Sequence, residues 1–221
     1  MNDLESCRLC PRLADYREKV AKEKRRAYKN QTYWGKPVPG FGDVNARIMI
    51  LGLAPGAHGS NRTGRMFTGD ASGNFLYAAL HRVGFANQAT SVSRDDGLVL
   101  QDIWITAAAR CVPPDNKPTR EELAGCKKWL EYDFSLLKNL ELVLALGQIA
   151  HNAYLEMLKA GGIAIIKNRY PFEHEKLHMI EGSLPLLNAY HVSFQNTNTG
   201  KLTQAMFDQV LQKAKILTKT P

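Results

Sequence analysis

The sequence predicts an α/β protein: a three-layer α/β/α domain around a central, mainly parallel four-stranded sheet. Three observations carry this. Short unbroken apolar runs such as 48–51 and 142–146 have the character of strands buried on both faces. Stretches with helical spacing of apolar residues alternate with them, as a parallel sheet with covering helices requires. Polar or glycine-rich loops follow two of the strands, where open α/β sheets place their ligands.

Taken in order, residues 11–29 have a helical pattern. The segment 32–43, with Pro37, Pro39, Gly40 and Gly42, is an ordered loop leading into a first strand at 46–51. A helix is expected at about 75–83, closed by Gly84 in the usual C-terminal glycine position. The second strand is expected at 103–108. Thr119 to Glu122 reads T-x-x-E, a capping box, and Leu123, Cys126, Leu130 and Leu137 follow on one helical face. The third strand is 142–146, and 148–160 is a helix ended by Gly161 and Gly162. A fourth strand at 186–190 delivers His191. The closing helix carries Met206, Phe207, Val210, Leu211 and Ala214 at helical spacing. No repeat or low-complexity linker divides the chain, so 1–221 is expected to be a single domain.

A chain of 221 residues with 44% hydrophobic content can bury one sizeable core. No apolar run reaches the roughly eighteen residues of a membrane span, and the N-terminus lacks the basic start and apolar core of a signal peptide. A soluble cytoplasmic protein with no membrane partner is the expectation. The net charge of +8 favours a polyanionic partner without proving one. From Arg17 to Lys29 the chain carries seven Lys or Arg residues against Glu18 and Glu23. That segment is a solvated helix face unless other elements also point to nucleic acid.

The stretch 52–73, GLAPGAHGSNRTGRMFTGDASG, is dense in glycine and poor in core residues. Such a backbone must turn sharply or come close to a ligand. His58, Asn61, Arg62, Arg65, Thr68 and Asp70 give it more hydrogen-bonding groups than a connector needs. It is not a phosphate loop of the nucleotide-binding kind: Gly59 to Arg65 reads G-x-x-x-x-G-R and lacks the Lys-Ser/Thr that holds phosphate and magnesium. The four cysteines are Cys7 and Cys10, a C-x2-C pair, and Cys111 and Cys126, fourteen residues apart. In a reducing compartment they fit a metal site better than disulfides. Spacing leaves three readings open: a [4Fe–4S] cluster, a zinc site, or unconnected thiols.

The glycine-rich loop, the cysteine set, RCVPPDNKPT at 110–119 and HVSFQNTNTG at 191–200 together resemble the uracil-DNA glycosylase superfamily. They are most similar to its iron–sulfur family five, also called type B, from Cys7 to about Leu202. The resemblance implies a monofunctional DNA-repair enzyme with the uracil-DNA glycosylase-like fold. It would flip a deaminated base out of the duplex and hydrolyse its N-glycosidic bond, leaving an abasic site. Uracil is the expected base, with other deaminated bases such as hypoxanthine beside it, in double- or single-stranded DNA. The resemblance also implies a [4Fe–4S] cluster on Cys7, Cys10, Cys111 and Cys126 that ties the N-terminal segment to the domain. A monomer working at the nucleoid is expected. The competing reading is a non-catalytic binder of damaged or single-stranded DNA on the same fold, which only turnover separates.

Residue by residue, Asp70 is the expected carboxylate that orients water, because Leu53 and Ala54 stand where other families carry a polar or acidic group. Its alternative role is N-cap of the following helix, and the two are compatible. His191 matches the donor to the base carbonyl. Asn116 matches a position for base contact or water, although an Asn between prolines is also a turn residue. Gly52, Leu53, Ala54, Gly56 and His58 would line the base pocket, with Phe67 as its stacking face. Phe194 and Gln195 stand in the loop expected to enter the minor groove, where Val192 and Phe194 replace the prolines of the superfamily's H-P-S-P-L form. Arg62, Arg65, Lys117 and Lys201 are the expected phosphate contacts.

Overall fold

The structure is a computed structural model, and it describes residues 2–218. Its centre is a six-stranded sheet in the order β1-β3-β2-β4-β6-β5. Four parallel strands form the middle: β2 (Ile48–Gly52), β3 (Ile103–Ala107), β4 (Leu142–Leu146) and β6 (Leu186–Ala189). The four expected strands are therefore all present. Each edge adds a two-residue antiparallel strand, β1 (Phe41–Gly42) and β5 (Leu177–His178), which the sequence pattern does not mark. Two-residue strands are too short to display an alternation, and their pairing comes from the sheet edge rather than from local pattern.

Every residue of the four central strands is buried. Successive side chains point to opposite faces, so Ile48 and Ile50 enter one core and Met49 and Leu51 the other. The first core is closed by α4 (Ala71–Val83) and α8 (Gln204–Leu217), which pack on each other. The second is closed by α5 (Arg120–Leu136) and α6 (Gln148–Ala160). This is the three-layer arrangement. Shorter helices are α1 (Asn2–Glu5), α3 (Ser60–Thr63) and α7 (Phe194–Asn198).

The capping box is present as expected: Thr119 Oγ1 accepts from the Glu122 N–H at 3.2 Å, and Glu122 Oε2 accepts from the Thr119 N–H at 2.8 Å. The helix expected over 11–29 is shorter. α2 spans Pro11–Glu23 and stops at Lys24, whose φ of 57° no α-helix can continue. A single 3₁₀ turn, Arg26–Tyr28, follows. The expected 75–83 helix instead begins at Ala71, because Asp70 caps it.

The C-terminal ends of β2, β3, β4 and β6 lie on one edge of the sheet. From β2 the chain crosses to β3 on one side, and from β4 it crosses to β6 on the other. The crevice between β2 and β4 is thus a topological switch point, the usual ligand position in such sheets.

Candidate active site

The loop leaving β2 is shaped by close contacts that only glycine allows. Phe67 has φ of 51°, in the left-handed region, and is buried. Its ring edge lies on Gly52, where an added Cβ would sit 2.8 Å from Phe67 Cζ. Its carbonyl lies against Gly73, where an added Cβ would come within 1.8 Å of the oxygen. A bulky residue held at positive φ stores strain, a common feature of functional sites.

Asp70 caps α4: its Oδ1 accepts from the Gly73 N–H at 2.9 Å. Oδ2 is turned toward Gly56 and Gly59; a Cβ on Gly59 would fall 1.9 Å from it. Burial raises the Asp70 carboxyl above its usual range, partly offset by the N–H groups of Gly73 and Ser72 and by the charge of Arg62. The carboxylate therefore has one anchored oxygen and one oxygen held in a glycine-lined recess.

His58 bonds through Nδ1 to the Tyr33 hydroxyl at 3.0 Å. Burial lowers its imidazole below the ordinary value, and the charges of Arg25 and Arg62 push the same way. His191, delivered just past β6, has its ring centroid 6.2 Å from that of Phe67, with the planes at 38°. It rests on Gly147, at the end of β4, where an added Cβ would meet the His191 Cβ at 3.2 Å. Burial lowers His191 as well, which favours a neutral ring at pH 7. The short helix α7 behind it is capped by Ser193, and Asn196 Nδ2 donates to the His191 carbonyl at 2.8 Å.

The structure brings Gly52, Gly56, Phe67, Asp70 and His191 together. Leu53 and Ala54 are half-buried in the same loop. Asn116 lies on the same sheet edge, exposed, in a 3₁₀ turn where it and Asp115 both have positive φ, at 56° and 54°. No hydrogen bond joins the Asn116 side chain to Asp70 or His191. Phe194 and Gln195, expected in a loop, are exposed on the first turn of α7, and Lys117 and Lys201 are exposed on loops of that edge, with Lys201 Nζ 4.9 Å over the Tyr190 ring.

Two of the expected phosphate contacts are corrected. Arg65 is 3% exposed and pairs with Asp96 at 2.7 Å, while it also donates to Thr68 and Ser91. Burial alone would raise the Asp96 carboxyl, but Arg65 and three backbone N–H groups outweigh it and hold it well below the carboxylate range. The Arg65 guanidinium is buried in an ion pair whose only partly exposed member is Asp96, so it is not available to a phosphate. Arg62 spends its guanidinium inside the chain, on the His58 carbonyl, Gln31 and the Gly69 carbonyl at 2.7, 2.7 and 2.8 Å. It braces the loop over the Tyr28 ring, 4.0 Å away.

Cys7, Cys10, Cys111 and Cys126 line one small pocket between α2, α5 and the loop after β3. Among the described residues, no group of three or more His, Cys, Asp or Glu side chains is arranged to hold a metal ion. The same pocket is lined by Arg17, Arg110 and Trp129, and it holds four buried donors without partners: Arg17 Nε, Arg110 Nε and Nη1, and Trp129 Nε1. Unsatisfied buried donors are costly, and gathered around four sulfurs they suit an anionic, thiolate-bound group. Arg17 Nη1 already donates to Cys111 Sγ at 3.0 Å, and the Arg110 N–H to Cys126 Sγ at 3.2 Å. Burial pushes the Cys126 thiol up to about 12, and raises Cys10 and Cys111 too, so thiolates here need a cationic partner.

Two residues of the site carry no expectation from the sequence: Tyr33, which no local pattern marks, and Gly147. The latter has a signal, being a glycine directly after a buried strand, much as Gly52 closes β2.

The Uracil DNA glycosylase superfamily model matches residues 39–215. A type-5 uracil-DNA glycosylase of Thermus thermophilus is 51% identical over 97% of this chain and 94% of its own length. Proteins of the same description from Mycobacterium leprae and Pyrobaculum aerophilum are 49% and 44% identical, over 96% and 97% of this chain and 91% and 90% of theirs.

Proposed function

The chain belongs to the uracil DNA glycosylase superfamily, and from that premise we propose how its site works. It is a DNA-repair hydrolase that excises uracil from DNA by cleaving the N-glycosidic bond. A non-catalytic binder is not favoured, since the relatives matched along nearly the whole chain are glycosylases.

The flipped base stacks on Phe67, and the backbone from Gly52 to Gly56, with Leu53, Ala54 and His58, lines its pocket. As the bond breaks, its electron pair leaves with the base. A neutral His191 donates a hydrogen bond to the base carbonyl and stabilises the negative charge there. The sugar becomes cationic, and Asp70 holds a water through its free oxygen, accepts that water's proton and balances the sugar charge. The water oxygen forms the new bond to the sugar carbon. Asn116 extends from the loop after β3 to the base or the water. Phe194 and Gln195 enter the minor groove, and Lys117 and Lys201 bind phosphates.

Cys7, Cys10, Cys111 and Cys126 would hold a [4Fe–4S] cluster, with the unpartnered N–H groups of Arg17 and Arg110 as donors toward it, since the Arg110 charge is already paired with Asp133. Its contribution is structural: it ties α2 and the N-terminal segment to α5 and to the loop that carries Asn116. We read the chain as one domain acting as a monomer on DNA in the cytoplasm. No helix among the described residues is long and apolar enough to cross a membrane. A range beyond uracil, including hypoxanthine, fits the apolar Leu53–Ala54 wall.

The observation that carries the mechanism is the free Oδ2 of Asp70 in its glycine recess, in the same loop as the Phe67 ring. The test is alkaline cleavage of single- and double-stranded DNA carrying one uracil, hypoxanthine, xanthine or mismatched thymine. Release of uracil is expected; specific binding of uracil DNA without turnover would instead establish a binder.

A further inference from the structure

α2 carries more positive charge than its own acids balance. Lys19 pairs with Glu23 at 3.9 Å, and Glu18 is taken by Arg8 and Arg17. Arg25, Arg26 and Lys29, which follow the helix, are exposed and have no acidic partner among the described residues. Neither the Arg25 nor the Arg26 guanidinium makes an internal hydrogen bond there. A solvated helix face would need no fixed position, but this segment is held in one. Lys24, at φ of 57°, ends the helix and sends its Nζ to the Gln31 carbonyl at 2.7 Å and the Lys29 carbonyl at 3.5 Å. One lysine is thus spent on closing the turn that displays the other three cations.

The turn is also bolted to the candidate active site. The Arg25 N–H donates to the Tyr33 hydroxyl at 3.4 Å, and that hydroxyl bonds His58 Nδ1 at 3.0 Å. Tyr28 lies under the Arg62 guanidinium at 4.0 Å, and Arg62 reaches the Gly69 carbonyl, next to Asp70. Arg25 stands close enough to His58 for its charge to depress that imidazole. Lys201 and Lys117 lie on other loops of the same sheet edge.

We propose that the turn formed by Arg25, Arg26 and Lys29 is a second DNA-backbone contact surface, gripping phosphates beside the base pocket apart from the His191 loop. The inference rests on the glycosylase reading for its ligand. Its basis is electrostatic: cations without acidic partners, fixed beside a pocket that must receive a flipped nucleotide, attract the flanking phosphates. The tie through Tyr33 and Arg62 keeps this grip in register with Asp70.

The test measures binding of the intact protein to a uracil-containing duplex by fluorescence anisotropy across a salt series. Arg25→Gln/Arg26→Gln is compared with Lys138→Gln/Lys159→Gln, which lowers net charge equally at exposed positions away from the pocket edge. Each lost phosphate contact removes about 0.9 from the slope of log affinity against log salt. The first pair should flatten the slope by about two, and the second should leave it unchanged. Equal slopes for the two variants would overturn the proposal. Should the double variant lose its fold by circular dichroism, Arg26→Glu alone is compared with Lys138→Glu, and equal slopes there overturn the proposal in the same way. Wild-type uracil excision, measured in the same preparation, tests the glycosylase reading separately: failure there leaves the slope comparison to stand or fall on its own.

Discussion

Replacing Asp70 by Asn separates the two jobs of this carboxylate. Asn caps helices about as well as Asp, so the bond from Asp70 Oδ1 to the Gly73 N–H at 2.9 Å has a replacement. Loss of negative charge at the N-terminus of α4 removes about 0.3–1 kcal/mol of dipole interaction. Against that stands relief from burial, because the folded state raises the Asp70 carboxyl. A folded-state value above the unfolded one means that the protonated form fits the fold better. The group's contribution is then fully present at acid pH and lost as pH rises through the raised value, so at pH 7 the ionised carboxylate costs stability. The two effects oppose each other, and Asp70→Asn should melt within about 2 °C of wild type. Asp70→Ala also loses the cap, about 1 kcal/mol, or roughly 2–4 °C for a chain of this size. Excision behaves differently: loss of the base should slow single-turnover release by about 10²–10⁴-fold in both variants. In wild type the rate should fall as pH drops through the raised Asp70 value, above the ordinary carboxylate value of about 4. Calorimetry and single-turnover cleavage on one uracil duplex read both quantities. An Asp70→Asn rate within about threefold of wild type would refute the assignment and leave Asp70 a cap alone.

Gly59→Ala places a Cβ 1.9 Å from Asp70 Oδ2, and the carboxylate must swing away. A displacement of about 1 Å is enough for roughly a 10²-fold loss in single-turnover rate, and a wild-type rate would show that Oδ2 is not where the chemistry needs it. Arg65→Ala empties a buried site, while Asp96 stays partly solvated and keeps the N–H donors of Val92, Ser93 and Leu98, so the cost should be about 1–3 kcal/mol, read as a fall in melting temperature. Its DNA salt slope should match wild type, whereas Lys201→Ala should do the reverse, flattening the slope by about one with only the small stability loss of its contact over the Tyr190 ring, about 0.5–1 kcal/mol. The purified protein should be brown and contain iron, and Cys126→Ser should lose the iron; stoichiometric zinc without iron would overturn the cluster assignment.

The parts legible in the sequence are those whose cause is local. Strands buried on both faces are continuous apolar runs, and β2 and β4 are such runs. The Thr119 capping box and the Gly84 helix stop are likewise local chemistry. What was not legible has its cause elsewhere in the chain. α2 ends at Lys24 with no Gly or Pro to mark it, because the Lys24 ammonium finds carbonyls five and seven residues on. Arg65 reads as a surface charge because its partner Asp96 lies 31 residues away, on a loop with no pattern of its own. The four cysteines are legible as a set, but only the structure gathers Arg17, Arg110 and Trp129 around them with unpartnered donors.

The placement of the site follows from two glycines at neighbouring strand ends, one residue apart in register. β2 and β4 are adjacent parallel strands; β2 ends on Gly52, and Gly147 directly follows β4. A side chain at Gly52 would displace the Phe67 ring, and one at Gly147 would press on His191. Gly52 therefore clears the strand end for the Phe67 ring and Gly147 for the Cβ of His191, and the two ring centroids approach to 6.2 Å across the switch point. Gly147 has φ of 91°, so alanine there is strained as well as crowded, whereas Gly52 is excluded by space alone. Substitution at Gly52 should accordingly act through Phe67 and the stacking of the base, and substitution at Gly147 through both the His191 loop and the start of α6. The glycine density of residues 52–73 is then not flexibility. At Gly52, Gly56, Gly59 and Gly73 it is the absence of side chains where Phe67 and Asp70 must lie against backbone, and at Gly64 and Gly69 it is the positive φ of the turn.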